Sequence, residues 1–166
     1  MAEAGGFKIR NQNAVHFITF AVVEWVDVFT WREYKDIVVD SLKHCQEQKG
    51  LNIHAWIIMS NHVHFILSSK EVFKLSNILR DFKKFTSTEV TKSIESSKYE
   101  NRKNWILKLF RAAGRKNVRN TSYQFWRQDN KPIELDTNKM IDQRLEYLHN
   151  NPVVAGIVDR AEDYFI

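Results

Sequence analysis

The stretch that most constrains the fold is Asn52 to Ser68, NIHAWIIMSNHVHFILS, in which two apolar runs, Ile53 to Met59 and Val63 to Leu67, flank Ser60-Asn61. Such runs on either side of a short polar turn specify an antiparallel hairpin. Successive side chains on a strand point to opposite faces, so His62 and His64 project together while Val63 and Phe65 face the other way. Two imidazoles are thereby offered to one ligand. Taken alone, the pair fits a half-polar sheet face better than a metal site. Tyr147 and Asn151, four apart near the far end of the chain, are what tilt the reading toward a metal centre.

The remaining elements follow from periodicity. Val15 to Trp25 is β-branched and aromatic and reads as a first strand. Thr30-Trp-Arg-Glu33 matches a capping box, and Tyr34, Val38, Leu42 and Cys45 continue at helical spacing until Gly50. From Val72 to Ile94 the apolar positions Leu75, Ile78, Leu79, Phe82, Phe85 and Val90 predict a second helix, with Arg80, Lys83 and Lys84 on or near its polar side. Trp105 to Phe110 reads as a short helix and Arg111 to Arg119 as a basic loop. Tyr123 to Trp126 and Ile133 to Leu135 resemble a further strand interrupted by the turn sequence Asp129 to Pro132. Asp136 or Thr137 caps a third long helix whose buried stripe is Ile141, Leu145 and Leu148, while Gln143, Tyr147 and Asn151 fall on a different face and Pro152 limits it. Strand, helix, hairpin, helix and strand in this order predict an α+β fold, an antiparallel sheet with helices packed on one face, formed as a single domain over residues 1–166. The opposite face is left to carry His62 and His64.

Composition narrows the partners. With 43% hydrophobic residues, 27% charged, 11 Phe and 5 Trp, the chain can bury a core. Its single cysteine, Cys45, cannot close an internal disulfide, no apolar run approaches the roughly 20 residues of a membrane span, and Met1 to Arg10 lacks the apolar core of a secretory signal. These features imply a cytoplasmic protein with no membrane partner. The net charge of +5 is concentrated: Asn101 to Asn120 holds Arg102, Lys103, Lys108, Arg111, Arg115, Lys116 and Arg119 and no acid. A polyanion is the partner such a run suggests, against the plain alternative of a solvated surface.

Two neutral imidazoles and an amide oxygen can hold a divalent ion while leaving positions open for a substrate's oxygens. A tyrosine beside such an ion, its phenol pKa about 10 when free, becomes a usable nucleophile toward a phosphodiester, because the cation draws charge from the phosphate. One phosphodiester then replaces another, and the strand can be rejoined without ATP.

On these residues the chain resembles a known family. Trp56-Ile-Ile-Met-Ser-Asn-His62-Val-His64-Phe-Ile-Leu looks like the histidine-hydrophobic-histidine (HUH) motif of the single-tyrosine transposases, and Tyr147-Leu-His-Asn-Asn151-Pro152-Val-Val-Ala-Gly156-Ile-Val resembles the nucleophile block of their REP-associated branch. Phe82-Lys-Lys-Phe-Thr86, Phe125-Trp126 and Pro132-Ile133 fall where similar segments lie, so the resemblance spans about residues 13 to 163. It implies a ferredoxin-like sheet, the HUH nuclease fold, with His62, His64 and Asn151 as ligands of Mg²⁺ or Mn²⁺ and Tyr147 as nucleophile. The implied activity is that of a DNA transposase: cleavage and rejoining of single-stranded DNA at hairpin-flanked sites, through a 5′-phosphotyrosine and a free 3′-OH. An asparagine rather than a glutamine as third ligand points to the REP-associated branch. One departure is the Ser-Ser-containing tail common in that branch, which does not follow Tyr164 here.

Other readings stay open at this point. A domesticated relative could hold DNA hairpins without cutting, and a metal-dependent phosphodiesterase could use water with Tyr147 merely structural. Arg80, Lys83, Lys84, Arg111, Arg115, Lys116 and Arg119 are candidate DNA contacts, each also at home on a solvated face. Trp126 and Phe125 fit a core better than a stacking surface, and His16, His44, His54 and His149 have no motif partner. A monomer and a dimer exchanging its tyrosine helices are both compatible with the sequence.

Overall fold

The computed structural model describes residues 8–116 and 122–164. The described residues form four strands, β1 (His16–Ala21), β2 (Leu51–Ile58), β3 (His62–Ser69) and β4 (Ile133–Glu134), and four α-helices, α1 (Arg32–Gln48), α2 (Leu75–Ser96), α3 (Lys103–Arg115) and α4 (Asn138–Val154), in the order β1-α1-β2-β3-α2-α3-β4-α4. The sheet order is β2-β3-β1-β4 and every pairing is antiparallel. Strands β1 and β2, joined through α1, leave a gap one strand wide, and the hairpin partner β3 fills it. This is the split β-α-β arrangement of ferredoxin-like sheets. The fold class is therefore the one the sequence implies.

Alternation along the strands separates two cores. Ile18 and Phe20 of β1 and Val63, Phe65 and Leu67 of β3 face a large layer built from Tyr34, Val38 and Leu42 of α1, Leu75, Ile78, Leu79 and Phe82 of α2, and Ile106 and Phe110 of α3. Phe17, Ile57, Met59 and Ile66 face the other way, against Leu148 and the partly buried Met140, Ile141 and Leu145 of α4. Helices α1 to α3 cover one face as the sequence predicts. The other face is not left bare: α4 crosses it, because its stripe of Ile141, Leu145 and Leu148 needs apolar cover that the back of β1, β2 and β3 supplies.

Local chemistry explains the remaining differences from the sequence reading. The capping box does not form: Trp31 occupies the N-cap of α1, and the Thr30 hydroxyl donates back to the Asp27 carbonyl. Thr137 caps α4, its hydroxyl accepting from the Met140 N–H at 3.2 Å. That helix continues through Pro152 to Val154, so Asn151 lies in its last turn. It ends in a Schellman motif: the Ile157 N–H donates to the Pro152 carbonyl and the Gly156 N–H to the Val153 carbonyl, with Gly156 at φ +75°. The basic residues Arg111 and Arg115 belong to α3 rather than to a loop. The lack of a side chain at Gly114 lets the helix run on there against the Tyr123 backbone, which a Cβ would meet.

The strand expected over Tyr123 to Trp126 reduces to a single bridge, Val22 with Trp126. Phe125 and Trp126 are buried, and the indole N–H of Trp126 donates to the Thr86 hydroxyl at 2.9 Å, which in turn donates to the Phe82 carbonyl. Lys83 straps the following loop to α2: its ammonium donates to the Arg127 carbonyl at 2.9 Å and to Asn130 Oδ1 at 2.7 Å. Burial lowers its pKa to about 8, with the Asp129 carboxylate opposing the shift.

Two outcomes are expected. A Cβ at Gly114 would lie 2.6 Å from the Tyr123 Cα, so Gly114→Ala should destabilise the protein by about 1–3 kcal/mol in chemical denaturation. Helix propensity alone would give about 1 kcal/mol in the opposite direction. For Lys83, the unfolded chain holds its proton up to about pH 10.4 while the native state releases it near 8. Between those values unfolding takes up a proton, so stability rises with pH. The unfolding temperature of the wild type should therefore climb relative to Lys83→Met from pH 8 to 10, and a constant difference would contradict the burial of this charge.

Candidate active site

The pairing of β1 with β3 sets Thr19 opposite His64 and Ala21 opposite His62. Both histidines consequently lie on the face that α4 crosses, their ring centroids 4.7 Å apart. Each ring has one nitrogen committed. His62 Nδ1 lies 2.7 Å from Asn61 Oδ1, an acceptor, so Nδ1 carries the proton and Nε2 carries the lone pair. His64 Nδ1 lies 2.9 Å from the Thr19 hydroxyl, which holds that ring in the corresponding orientation. Burial pushes the His62 pKa down, opposed by the Asn151 amide, and takes His64 to about 3, helped by the positive charges of His62 and Arg144. Near neutral pH both imidazoles are uncharged, the form that ligates metals.

Helix α4 brings the other two residues. Asn151 Nδ2 is 3.5 Å from His64 Nε2. Tyr147, one turn earlier, packs edge-on to His64 with centroids 5.5 Å apart and remains 49% exposed, so its ring is steered by the site while the residue stays accessible to solvent. Phe17 wedges these rings together, stacked on His64 at 5.2 Å and edge-on to Tyr147 at 5.9 Å. The Arg144 guanidinium lies over Phe17 at 5.0 Å and 5.9 Å from the Tyr147 ring centre. Residues separated by more than 80 positions thus converge on one surface. Among the described residues no group of three or more His, Cys, Asp or Glu could hold a metal, so a cation here would depend on the two imidazoles and the Asn151 amide. These donors suit it: two neutral, oriented nitrogens and a carboxamide.

The basic candidates lie across the sheet. Lys84, Arg111, Arg115 and Lys116 are exposed on or at the end of α2 and α3, Arg80 pairs with Asp81 at 3.2 Å, and Lys83 is turned inward to its loop. Arg119 lies outside the described residues. Of the other histidines, His16 bonds the Ala14 carbonyl and His54 the Ser68 hydroxyl, both away from the pair. Sequence reasoning did not assign Thr19, Asn61 or Arg144 a role. Asn61 and Arg144 could have been found, one adjoining the histidine motif and the other one turn before Tyr147. Thr19 could not, since only the strand register brings it to His64.

Comparison with known proteins bears on the family and the fold. A family model described as "Transposase IS200 like" matches residues 11–116, which include both histidines but stop short of α4. The structure of a REP-associated tyrosine transposase bound to a REP hairpin superposes with a TM-score of 0.67 at 16% identity, over 99% of this chain and 80% of that one. A protein from Deinococcus radiodurans R1 assigned as a transposase gives a TM-score of 0.50 at 15% identity, covering 90% and 97%. No curated protein matches the sequence significantly. No described helix is long and apolar enough to cross a membrane. With the family model covering most of its length, the chain belongs to the IS200-like transposases.

Proposed function

We propose that this protein, acting as one domain over residues 1–166, cleaves and rejoins single-stranded DNA beside hairpins, with Tyr147 as the nucleophile. The observation that carries this reading is the placement of Tyr147 and Asn151 against the oriented pair His62 and His64. Mg²⁺ or Mn²⁺ would be held by Nε2 of each histidine and by the side-chain amide oxygen of Asn151, which a half-turn of the amide brings to the position of Nδ2. Such an ion supplies Lewis acidity, withdrawing charge from the phosphate being attacked.

The chain's own residues account for the rest. The Tyr147 phenol oxygen attacks phosphorus, forming a phosphotyrosine at the 5′ side as the bond to the 3′ oxygen breaks. The phenolic proton is lost to solvent and the departing oxygen takes one up, leaving a free 3′-OH. Attack by a 3′-OH on the phosphotyrosine reverses the step and seals a strand. Arg144 places positive charge beside the ring as the phenol oxygen loses its proton. The REP hairpin bound by the structural relative supports hairpin DNA as partner, and such DNA would be met in the cytoplasm. The outward cations of α3, with Lys84 and Lys116, are proposed to touch its phosphates.

Two measurements test this. Incubated with labelled single-stranded hairpin DNA from beside the gene, wild type should give a covalent protein-DNA band on a denaturing gel that requires Mg²⁺ and is lost in Tyr147→Phe. Cleavage persisting in Tyr147→Phe would assign attack to water and defeat the proposal. The support of His64 is tested apart from catalysis: Thr19→Val should weaken Mn²⁺ binding, followed by calorimetry, by about 10–100-fold while the fold is kept. An unchanged affinity would show that the histidine pair is not the metal site.

A further inference from the structure

The chain leaves β1 through a strained turn that buries Val23 and Val26 in the core but leaves Trp25 outside it. Glu24 and Trp25 both have positive φ, 55° and 53°, where side-chain-bearing residues are uncommon. The turn is nevertheless tightly held. Val22 N–H donates to the Asn61 carbonyl at 2.9 Å, Val23 N–H to the Phe125 carbonyl at 2.9 Å, and Asn61 Nδ2 to the Trp25 carbonyl at 3.3 Å. This backbone presents the Trp25 indole outward, 54% exposed, edge-on to His62 with centroids 6.5 Å apart. A tryptophan is the residue whose exposure forfeits most apolar burial, and here two left-handed residues hold it out beside a candidate metal ligand.

A second group is delivered to the same place. The Arg127 guanidinium lies over the Trp25 ring, 5.2 Å from its centre. Its backbone is fixed by its own N–H to the Ala21 carbonyl at 2.8 Å and by Lys83, which bonds its carbonyl. Arg127 is 3.6 Å from Asp129, and both side chains are partly exposed. The rings therefore succeed one another as Trp25, His62, His64 and Tyr147, with Arg127 beside the first. An indole with an adjoining guanidinium is the pairing that single-strand binding surfaces use for a base and its phosphate.

We propose that Trp25 and Arg127 form a subsite for one unpaired nucleotide next to the phosphate attacked by Tyr147, Trp25 stacking on the base and Arg127 meeting the backbone. This rests on the proposed function, since the adjoining phosphate is placed by that reading. The stacked base fixes the strand beyond the scissile bond, so the phosphate is held from the side of the histidines opposite the tyrosine. Selection is for an unpaired base of any identity: a duplex offers no free face to the indole. Asn61 links this subsite to the site proper, because one amide bonds His62 through Oδ1 and the Trp25 carbonyl through Nδ2.

The test uses the full chain carrying Tyr147→Phe, so that no strand is cut, with Mg²⁺ present and fluorescence anisotropy as readout. The probes are a labelled twelve-nucleotide oligothymidylate and an abasic strand with the same number of phosphates. Trp25→Ala should weaken binding of oligothymidylate by about 5- to 100-fold, the range for one aromatic-base stack, and leave the abasic strand unchanged. Trp25→Phe should restore most of the lost affinity. Equal loss on both strands, or no loss on either, overturns the subsite. The covalent-adduct assay on protein with Tyr147 intact separates the two proposals. Base-dependent loss in Trp25→Ala without any adduct from the wild type would uphold the subsite and refute the tyrosine chemistry. An adduct with no Trp25 dependence would do the reverse.

Discussion

The site hangs on the register between β1 and β3. Side chains on a strand alternate with a period of two, so a slip of one residue would turn His62 and His64 into the core beside Phe20 and Phe82 and turn Val63 and Phe65 out of it. The sheet cannot tolerate that. Large apolar side chains on one side of β3 and polar ones at its start on the other fix a single pairing, and that pairing delivers Thr19 to His64. The hydrogen bond that orients His64 is thus a by-product of core packing in the opposite layer. Stability and function are coupled here through strand alternation, with no residue needing to serve both.

Helix α4 stands in a different relation to the core. Its buried residues are Leu148 and Pro152, whereas α2 buries eight along its length. Apolar area removed from water sets most of the free energy of attachment, at roughly 25 cal/mol per Å², so α4 is the helix that can separate from the sheet at least expense. Tyr147 and Asn151, the proposed nucleophile and third ligand, are both carried on it. Binding of a cation between β3 and Asn151 would therefore add directly to the hold on Tyr147, linking occupation of the site to placement of the phenol. Phe17, packed against both His64 and Tyr147, transmits the same constraint through van der Waals contact.

Polar side chains at the end of β1 draw three segments together. Asn61 bonds the His62 ring and the Trp25 turn, and Lys83 bonds the loop that carries Arg127. Lys83 illustrates how a basic residue can mislead when read from sequence alone. On the helical period it lies near the polar side of α2, yet its ammonium is directed into the structure, where two oxygens compensate for lost hydration. Lys84, its neighbour, is the one left on the surface.

Much of this was legible in the chain. The hairpin was, because apolar alternation on both sides of Ser60-Asn61 admits one pairing, and so was the common face of His62 and His64. The order of strands and helices followed from the change between periods of two and 3.6 residues, and the spacing of Tyr147 and Asn151 placed both on one stretch of α4. Tertiary structure alone decided the rest. It set α4 on the histidine face, because a helix with an apolar stripe must find cover and only the unoccupied side of the sheet could give it. It made Thr19 a partner of His64, turned Lys83 inward, carried α3 through Gly114 and exposed Trp25 on a left-handed turn. Each of these depends on contacts between residues far apart in sequence, and local periodicity carries no record of them.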